Sequence, residues 1–382
     1  MVKICALLWI SFACLGPCTA QTPGAARMDQ YLHLLEGKRI AVFANQTSLV
    51  GQTHLVDTLL KKGLTVVRIF SPEHGFRGNA DAGEAVNGGR DSATGLEVVS
   101  LYGNHLKPTR ADLTDIDVLV FDIQDVGVRW YTYISSLQYY LEAAMENGKP
   151  LILLDRPNPN GFYVDGPVLD PAYASFVGMQ PIPAVYGMTL AEYAGYLIGE
   201  RRISLVPARG FHLYVVPCLG YTHHSRYQLP VRPSPNLPDM QSVYLYTSLC
   251  FFEGTPVSVG RGTDKPFQCY GNPLFPRDGY AFTPHSLPGA KNPPQKDKTC
   301  YGEDLSRARI EPRIQLRWLL EAYHQYPAKD SFFTPFFTKL AGGPTLATQI
   351  RSGLSEKEIR RSWEPALQAF RAIRAKYLLY PD

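Results

Sequence analysis

The stretch VLVFDIQDVGVR at residues 118–129 decides the fold. It begins with four apolar residues, which predict a buried β-strand, and continues with carboxylates, an amide and an arginine. Similar apolar runs recur before and after it, with amphipathic stretches between them. The predicted strands are residues 38–44, 64–70, 96–101, 118–121 and 151–154, and the predicted helices are residues 28–35, 54–62 and 133–147. Strands that alternate with helices predict an α/β fold with a Rossmann-like, doubly wound and mostly parallel sheet.

The second half of the chain has a different pattern, which predicts a smaller α+β domain. Short strands are expected at residues 204–206 and 212–216, and helices at residues 189–200, 241–251, 314–323 and 357–377. Pro365 is compatible with the last helix only near its start. We therefore divide the chain into a Rossmann-like catalytic domain at residues 28–240 and an ancillary α+β domain at residues 241–382, which would close the cleft.

Residues 1–20 predict a signal peptide. A positively charged start precedes an apolar run at residues 4–15, whose length is typical of an export signal. We expect an exported protein, periplasmic or extracellular, whose mature chain begins near Gln21. We expect no lipid anchor at Cys14 or Cys18, because the residues before both match a lipoprotein signal poorly. Four of the seven cysteines remain after cleavage, which permits disulfides without requiring them.

Composition and motifs exclude several classes of function. The 382 residues have a net charge of only +4, and acidic and basic side chains are mixed along the chain, which argues against a nucleic-acid-binding protein. The turn after the first strand lacks the G-x-G-x-x-G motif of dinucleotide binding, and no P-loop sequence occurs. The cysteine spacing fits no zinc site. We expect no cofactor, no metal and no stable membrane insertion, and the sequence does not predict the oligomeric state.

Polar residues follow four of the predicted strands at the point where each strand ends. They are NQTS at residues 45–48, PEHGFRG at 72–78, DIQDVGVR at 122–129 and DRPNPNG at 155–161. In an open parallel sheet, ligands bind outside the carboxyl ends of the strands. Because these four loops lie at the same edge of the predicted sheet, we expect a functional site there.

Glu73 is the first candidate for a catalytic group, because it follows a buried strand and stands between a proline and His74. A carboxylic acid on the wall of a partly apolar cleft can act as a general acid near neutral pH. Glu84 is a second candidate, on a loop that could fold back over the site. His74 could assist as a base or a hydrogen-bond donor. A purely structural capping role for Glu73 is the competing interpretation.

Arginines near the predicted site favour an anionic ligand, because a guanidinium group binds a carboxylate through two hydrogen bonds. They are Arg77, Arg129, Arg156 and Arg261, although the first two would serve equally well to hold acidic residues in place. The other predicted substrate-binding residues are Asn45, Asp122, Gln124, Asn158, Asn236 and Glu253. Glu253 and Arg261 belong to a glycine-rich part of the second domain, which we expect to close the cleft from the opposite side.

Seven motifs in a fixed order resemble those of a known family. They are NQTS at residues 45–48, PEHGFRG at 72–78, FDIQDVGVR at 121–129, DRPNP at 155–159, YGMT at 186–189, PSPN at 233–236, and FEGT at 252–255 with GRGT at 260–263. The series resembles the NamZ-type exo-β-N-acetylmuramidases over nearly the whole predicted mature chain. Departures from the family pattern at residues 255–259 and 184–185 bear on substrate choice more than on reaction class.

The resemblance implies hydrolysis of the β-1,4 bond that releases N-acetylmuramic acid from the non-reducing end of peptidoglycan fragments. It also implies a catalytic glutamate in a cleft between two domains, which corresponds to Glu73 or, in second place, Glu84. Glycoside hydrolysis usually needs a second carboxylate, here Glu84, Asp122 or Asp125, unless the substrate's own acetamido group attacks. The alternative function is a non-catalytic periplasmic protein that binds muropeptides, since such a protein would use the same arginines and aromatic residues.

Overall fold

The computed structural model describes residues 21–73, 75–77 and 88–382. The strands among these residues are β1 Arg39–Ala44, β2 Leu49–Val50, β3 Thr53–His54, β4 Thr65–Ser71, β5 Gly89–Arg90, β6 Glu97–Ser100, β7 Val118–Asp122, β8 Leu151–Leu154, β9 Leu213–Val216, β10 Cys269–Asn272, β11 Tyr280–Phe282 and β12 Cys300–Asp304. The α-helices are α1 Leu32–Leu35, α2 Leu55–Lys61, α3 Tyr133–Glu146, α4 Leu190–Gly199, α5 Met240–Leu249, α6 Arg317–Gln325, α7 Pro335–Ala341, α8 Thr345–Arg351 and α9 Glu356–Arg374.

Seven of these strands form one mixed sheet in the order β5-β6-β4-β1-β7-β8-β9. The short edge strand β5 is antiparallel to β6, and the other neighbouring strands are parallel. Apart from β5, the order is that of a doubly wound sheet: the chain moves outward from β1 to β6 and then outward from β7 to β9 on the other side. The predicted α/β class and mostly parallel sheet are confirmed.

Helices cover both faces of this sheet, because successive strand residues point to opposite sides. On one face, β1 contributes Ile40, Val42 and Ala44 to a hydrophobic cluster that α2 also enters. On the other face, β1 contributes Ala41 and Phe43 to a larger cluster with α3 and α4. The larger cluster also contains side chains of α5 to α9, so both halves of the chain share one core.

The second half contains a three-stranded antiparallel sheet, β10-β12-β11, among its helices. Two expectations for this half are wrong. Residues 204–206 form no strand, because Val206 is almost fully exposed and Pro207 has no N–H group to pair. The helix α9 continues through Pro365, which lies well inside it rather than near its start. The proline is on the exposed side of α9, where water can bind the carbonyl group that lacks an N–H donor.

Some expectations concern residues that the structure does not describe. The predicted signal peptide at residues 1–20 lies outside the described residues, and so do His74 and Glu84. Within the described part, the four cysteines are buried free thiols, and no helix is long and apolar enough to cross a membrane. The division into two domains between residues 240 and 241 stays a prediction.

Candidate active site

A cavity of about 750 Å³ opens at the carboxyl edge of the main sheet. Residues that follow three strands of this sheet line part of it: Glu73 after β4, Tyr102 after β6 and Thr132 after β7. Residues of the second half, such as Glu253 and Arg261, complete the wall. The volume lies within the range of about 300–1,000 Å³ that small-molecule sites occupy. The cavity is therefore the candidate active site.

Two hydroxyl groups hold the carboxylate of Glu73. The Tyr102 hydroxyl donates to Oε1 at 3.1 Å, and the Thr132 hydroxyl donates to Oε2 at 3.1 Å. Burial, together with the charge of Glu73, raises the pKa of Tyr102, which keeps its hydroxyl protonated and able to donate. The sheet brings these three distant residues together, because parallel strands end at a common edge.

Aromatic side chains form much of the cavity wall. They are Tyr102, Trp130, Tyr131, Tyr133, Phe176, Tyr246, Phe267 and Phe336. Several support one another edge to face, with ring centroids 4.6 Å apart for Tyr131 and Tyr133 and 4.8 Å apart for Tyr246 and Phe267. The Tyr131 hydroxyl also donates to the carbonyl of Pro233 at 2.8 Å. The wall therefore presents fixed apolar faces with polar edges, which suit the C–H faces and hydroxyls of a sugar ring.

The charged side chains of the wall include an ion pair. Arg261 Nε lies 2.7 Å from Glu253 Oε1, and the guanidinium group lies over the ring of Phe267. Lys291 adds a second cation, on a segment rich in proline and lysine. Among the described residues, no group of three or more His, Cys, Asp or Glu side chains is arranged to hold a metal ion.

Six of the predicted substrate-binding residues are buried and do not belong to the cavity wall as described. They are Asn45, Asp122, Gln124, Arg129, Arg156 and Asn158. Arg156 forms two hydrogen bonds with Asp122, at 2.6 and 2.9 Å, so neither residue offers its charge to a ligand. Asn45 donates to the Tyr133 hydroxyl at 2.9 Å and thus supports an aromatic residue of the wall.

The other three buried residues tie the strand-end loops together. Their side chains donate to backbone carbonyls: Gln124 to Asp125 and Pro157, Asn158 to Met188, and Arg129 to Pro167, Ile182 and Leu340. A Cβ at Gly127, whose φ is +78°, would lie 2.1 Å from Asn158 Oδ1, so this loop requires glycine. The loops are rich in polar side chains because these side chains supply the hydrogen bonds that backbone groups would otherwise form in regular secondary structure.

Four predicted residues do line the cavity, namely Glu73, Asn236, Glu253 and Arg261. Arg77 is not part of the described wall, since its guanidinium group forms two hydrogen bonds with Asp91, at 2.9 and 2.8 Å. Asn236 donates to the carbonyl of Gly289 at 2.7 Å and so fixes the segment that carries Lys291.

Comparison with known proteins decides the family. The N-terminal model of the exo-β-N-acetylmuramidase NamZ matches residues 40–241, and the C-terminal model matches residues 244–380. The chain belongs to this family. It is 39% identical over 379 residues to the peptidoglycan β-N-acetylmuramidase NamZ of Bacillus subtilis strain 168, an alignment that covers 92% of this chain and 89% of that protein.

Solved structures agree with this assignment. A DUF1343 family protein from Bacteroides fragilis has a TM-score of 0.87 at 47% identity, covering 95% of this chain and 99% of that one. A second DUF1343 family protein from the same organism has a TM-score of 0.80 at 29% identity, covering 94% and 99%. The likeness confirms the fold, and membership of the exo-β-N-acetylmuramidase family makes the chain a glycoside hydrolase.

Sequence reasoning missed several polar residues of the wall, among them Tyr102, Thr132 and Lys291. Tyr102 follows the predicted third strand, whose end carried no recognised motif. Thr132 lies three residues beyond the polar motif that ends at Arg129, so continuing along that loop would have found it. Lys291 lies in a segment rich in proline and lysine, which usually indicates a solvated loop. Only the tertiary structure brings this segment to the cavity.

Proposed function

We propose that the protein is an exo-acting glycoside hydrolase that releases N-acetylmuramic acid from the non-reducing end of peptidoglycan fragments by cleaving β-1,4 bonds, with Glu73 as the general acid. The observation that carries the proposal is the position of Glu73. Its carboxylate lies on the wall of an aromatic cavity large enough for a sugar, and two hydroxyls orient it. The name of the Bacillus relative supports the substrate class.

The proton of Glu73 would pass to the glycosidic oxygen as the bond to the sugar's C1 breaks. The leaving sugar then departs as a neutral alcohol, and the negative charge remains on Glu73. Tyr102 and Thr132 would donate to this carboxylate and hold it in line. Glu73 must then regain a proton, which solvent supplies between turnovers.

Glycoside hydrolysis also needs a nucleophile or base beside the general acid, and the hydrogen bonds of Asp122 and Asp125 make both residues less suitable for that role. Asp122 is committed to Arg156, and Asp125 accepts hydrogen bonds from Tyr186 and from the backbone of Gly127. We therefore favour Glu84, or the acetamido group of the substrate, as the nucleophile or base. Glu253 joins the candidates as a residue that orients this group.

We propose further that the protein acts outside the cytoplasm, in the periplasm or beyond the cell. An apolar export signal at residues 1–20 supports this proposal. N-terminal sequencing and mass measurement of the mature protein should give a start near Gln21 and no lipid. A mature chain that still carries residues 1–20 would contradict the proposed export. A lipid on Cys14 or Cys18 would contradict the expected absence of a lipid anchor.

The substrate is tested with the p-nitrophenyl β-glycosides of N-acetylmuramic acid and N-acetylglucosamine. We expect release of p-nitrophenol from the first only. Purified glycan strands test the mode of attack: free N-acetylmuramic acid should appear from the start while the mean strand length falls slowly. Tight binding of muropeptides without turnover of either glycoside would favour the alternative binding protein.

A further inference from the structure

We propose that a second cavity, which shares Tyr102 with the active-site cavity, binds the leaving part of the glycan, beginning with its N-acetylglucosamine unit. The second cavity has a volume of about 690 Å³ and is lined mainly by β5, β6 and residues 102–105. This volume again lies within the range of about 300–1,000 Å³ that small-molecule sites occupy. The inference rests on the proposed function.

Tyr102 is the residue that links the two cavities. It lines both of them, its hydroxyl donates to Glu73 Oε1 at 3.1 Å, and its ring lies beside that of Phe176, with centroids 6.2 Å apart. A general acid must reach the oxygen that joins the released sugar to the leaving sugar. The two sugars therefore extend from Glu73 in different directions. If the active-site cavity holds the muramic acid, the cavity that shares Tyr102 is the adjacent space for its leaving group.

An ion pair fixes the wall of the second cavity relative to Glu73. Arg77 lies on the loop after β4, as Glu73 does, and it forms two hydrogen bonds with Asp91, at 2.9 and 2.8 Å. Asp91 directly follows β5 and also accepts a hydrogen bond from the Thr94 hydroxyl at 2.8 Å, within the turn that leads to β6. Arg77 is thus a positioning residue that joins the loop of Glu73 to the strands of the second cavity.

The side chains of the second cavity suit a sugar. Asn104 and Arg90 are exposed at its wall, and the ring of Tyr102 adds an apolar face. An amide both donates and accepts hydrogen bonds, as the hydroxyl and acetamido groups of N-acetylglucosamine do. The loop after β6 is held in place, because His105 Nε2 lies 3.1 Å from Asp112 Oδ2. The wall therefore combines fixed backbone with polar groups that can bind hydroxyls.

The test compares two substrates that differ in their leaving groups. The p-nitrophenyl glycoside of N-acetylmuramic acid has no leaving sugar, whereas a glycan tetrasaccharide with N-acetylmuramic acid at its non-reducing end has three further sugars. The proteins are the wild type, G89F, N104A and R110A. A Cβ at Gly89 would meet no atom within 4 Å, so a phenylalanine can enter β5 and occupy space at the cavity wall. Arg110 is a control, because it is exposed on the same segment as Asn104 and is not part of the described wall of either cavity.

We expect N104A to lower kcat/KM for the tetrasaccharide about 2- to 10-fold, as the loss of one hydrogen bond allows. G89F should lower it further, and R110A should not change it. All three variants should hydrolyse the p-nitrophenyl glycoside nearly as fast as the wild type. N104A adds no bulk and so decides the matter if G89F does not fold.

Three results would overturn the assignment of the second cavity. The first is tetrasaccharide hydrolysis that is unchanged in N104A and G89F, and the second is an equal loss with both substrates in N104A. The third is a loss confined to tetrasaccharides that carry stem peptides, which would assign the cavity to the peptide instead of the glycan. The proposed function would fail separately, through absence of wild-type turnover of the muramic acid glycoside.

Discussion

The buried ion pair between Asp122 and Arg156 links the end of β7 to the loop after β8. Both side chains are almost completely buried, so neither can turn to water when its partner is removed. This explains how charged residues at strand ends can serve the site without contacting a ligand. They hold adjacent loops at fixed positions, and the cavity wall depends on those loops.

Replacing Asp122 by alanine should therefore destabilise the protein strongly. D122A leaves a buried, uncompensated guanidinium group, and we expect the free energy of unfolding to fall by about 3–5 kcal/mol. The control is D117A, which removes an exposed carboxylate that accepts hydrogen bonds from the side chain and the backbone N–H of Arg39, and it should cost much less, because water screens an exposed pair. Urea denaturation measures both. Equal losses would contradict the structural role of the buried pair.

Asp125 should make stability depend on pH. Burial raises the pKa of its carboxyl to about 7 in the folded protein, against 3.8 as the ordinary value. Between these values the folded state keeps a proton that the unfolded chain has lost. The contribution is fully present below about pH 4 and is lost as the pH rises through 7.

Unfolding free energies of wild type and D125N, measured from pH 4 to pH 8, test this point. The decline with rising pH should be smaller in D125N, because an amide does not titrate. Part of the decline should remain in both proteins, since burial raises the pKa of Asp155 to about 7 as well. Identical pH profiles would show that Asp125 is ionised in the folded state.

The candidate site could be predicted only in part from single residues. Glu73, Asn236, Glu253 and Arg261 line the cavity, whereas a residue such as Arg156 points into the protein. A polar side chain after a strand looks the same in both cases, because buried loops need hydrogen-bond partners as much as ligands do. Sequence order does not reveal which way such a side chain points.

At the scale of elements, the central strands were predictable and several short elements were not. β1, β4, β7 and β8 are short and mainly apolar, and each lies within two residues of its predicted bounds. β5 has two residues, and α7 and α8 have seven each, which is too short for a periodic pattern to emerge. Tertiary contacts determine such elements.

Helix α9 offers a test of how a proline is accommodated. Pro365 lies inside the helix on its exposed side, between the buried Trp363 and Leu367. P365A restores one backbone hydrogen bond and should raise the free energy of unfolding by about 1–3 kcal/mol. Denaturant unfolding checks this result. A loss of stability would mean that a bend at Pro365 is needed to pack Trp363 and Leu367.

At the scale of the whole molecule, the cavity depends on contacts that are distant in sequence. Glu73 receives hydrogen bonds from Tyr102 and Thr132, and Lys291 reaches the same cavity from the second half of the chain. The sequence predicted the sheet edge as the place of the site because strand order and strand ends follow general rules. It could not predict which segment of the second half would complete the wall.

The measurement that tests the central claim most directly is the dependence of rate on the leaving group in E73Q. A general acid matters for a sugar leaving group, which needs a proton, and matters little for 2,4-dinitrophenol, which does not. We predict that E73Q hydrolyses the disaccharide N-acetylmuramyl-N-acetylglucosamine about 10²–10⁴-fold more slowly than wild type, yet hydrolyses the dinitrophenyl glycoside nearly as fast. E84Q, the matched variant, should not show this pattern. If E84Q shows it instead, or if E73Q loses both activities equally, Glu73 is not the general acid.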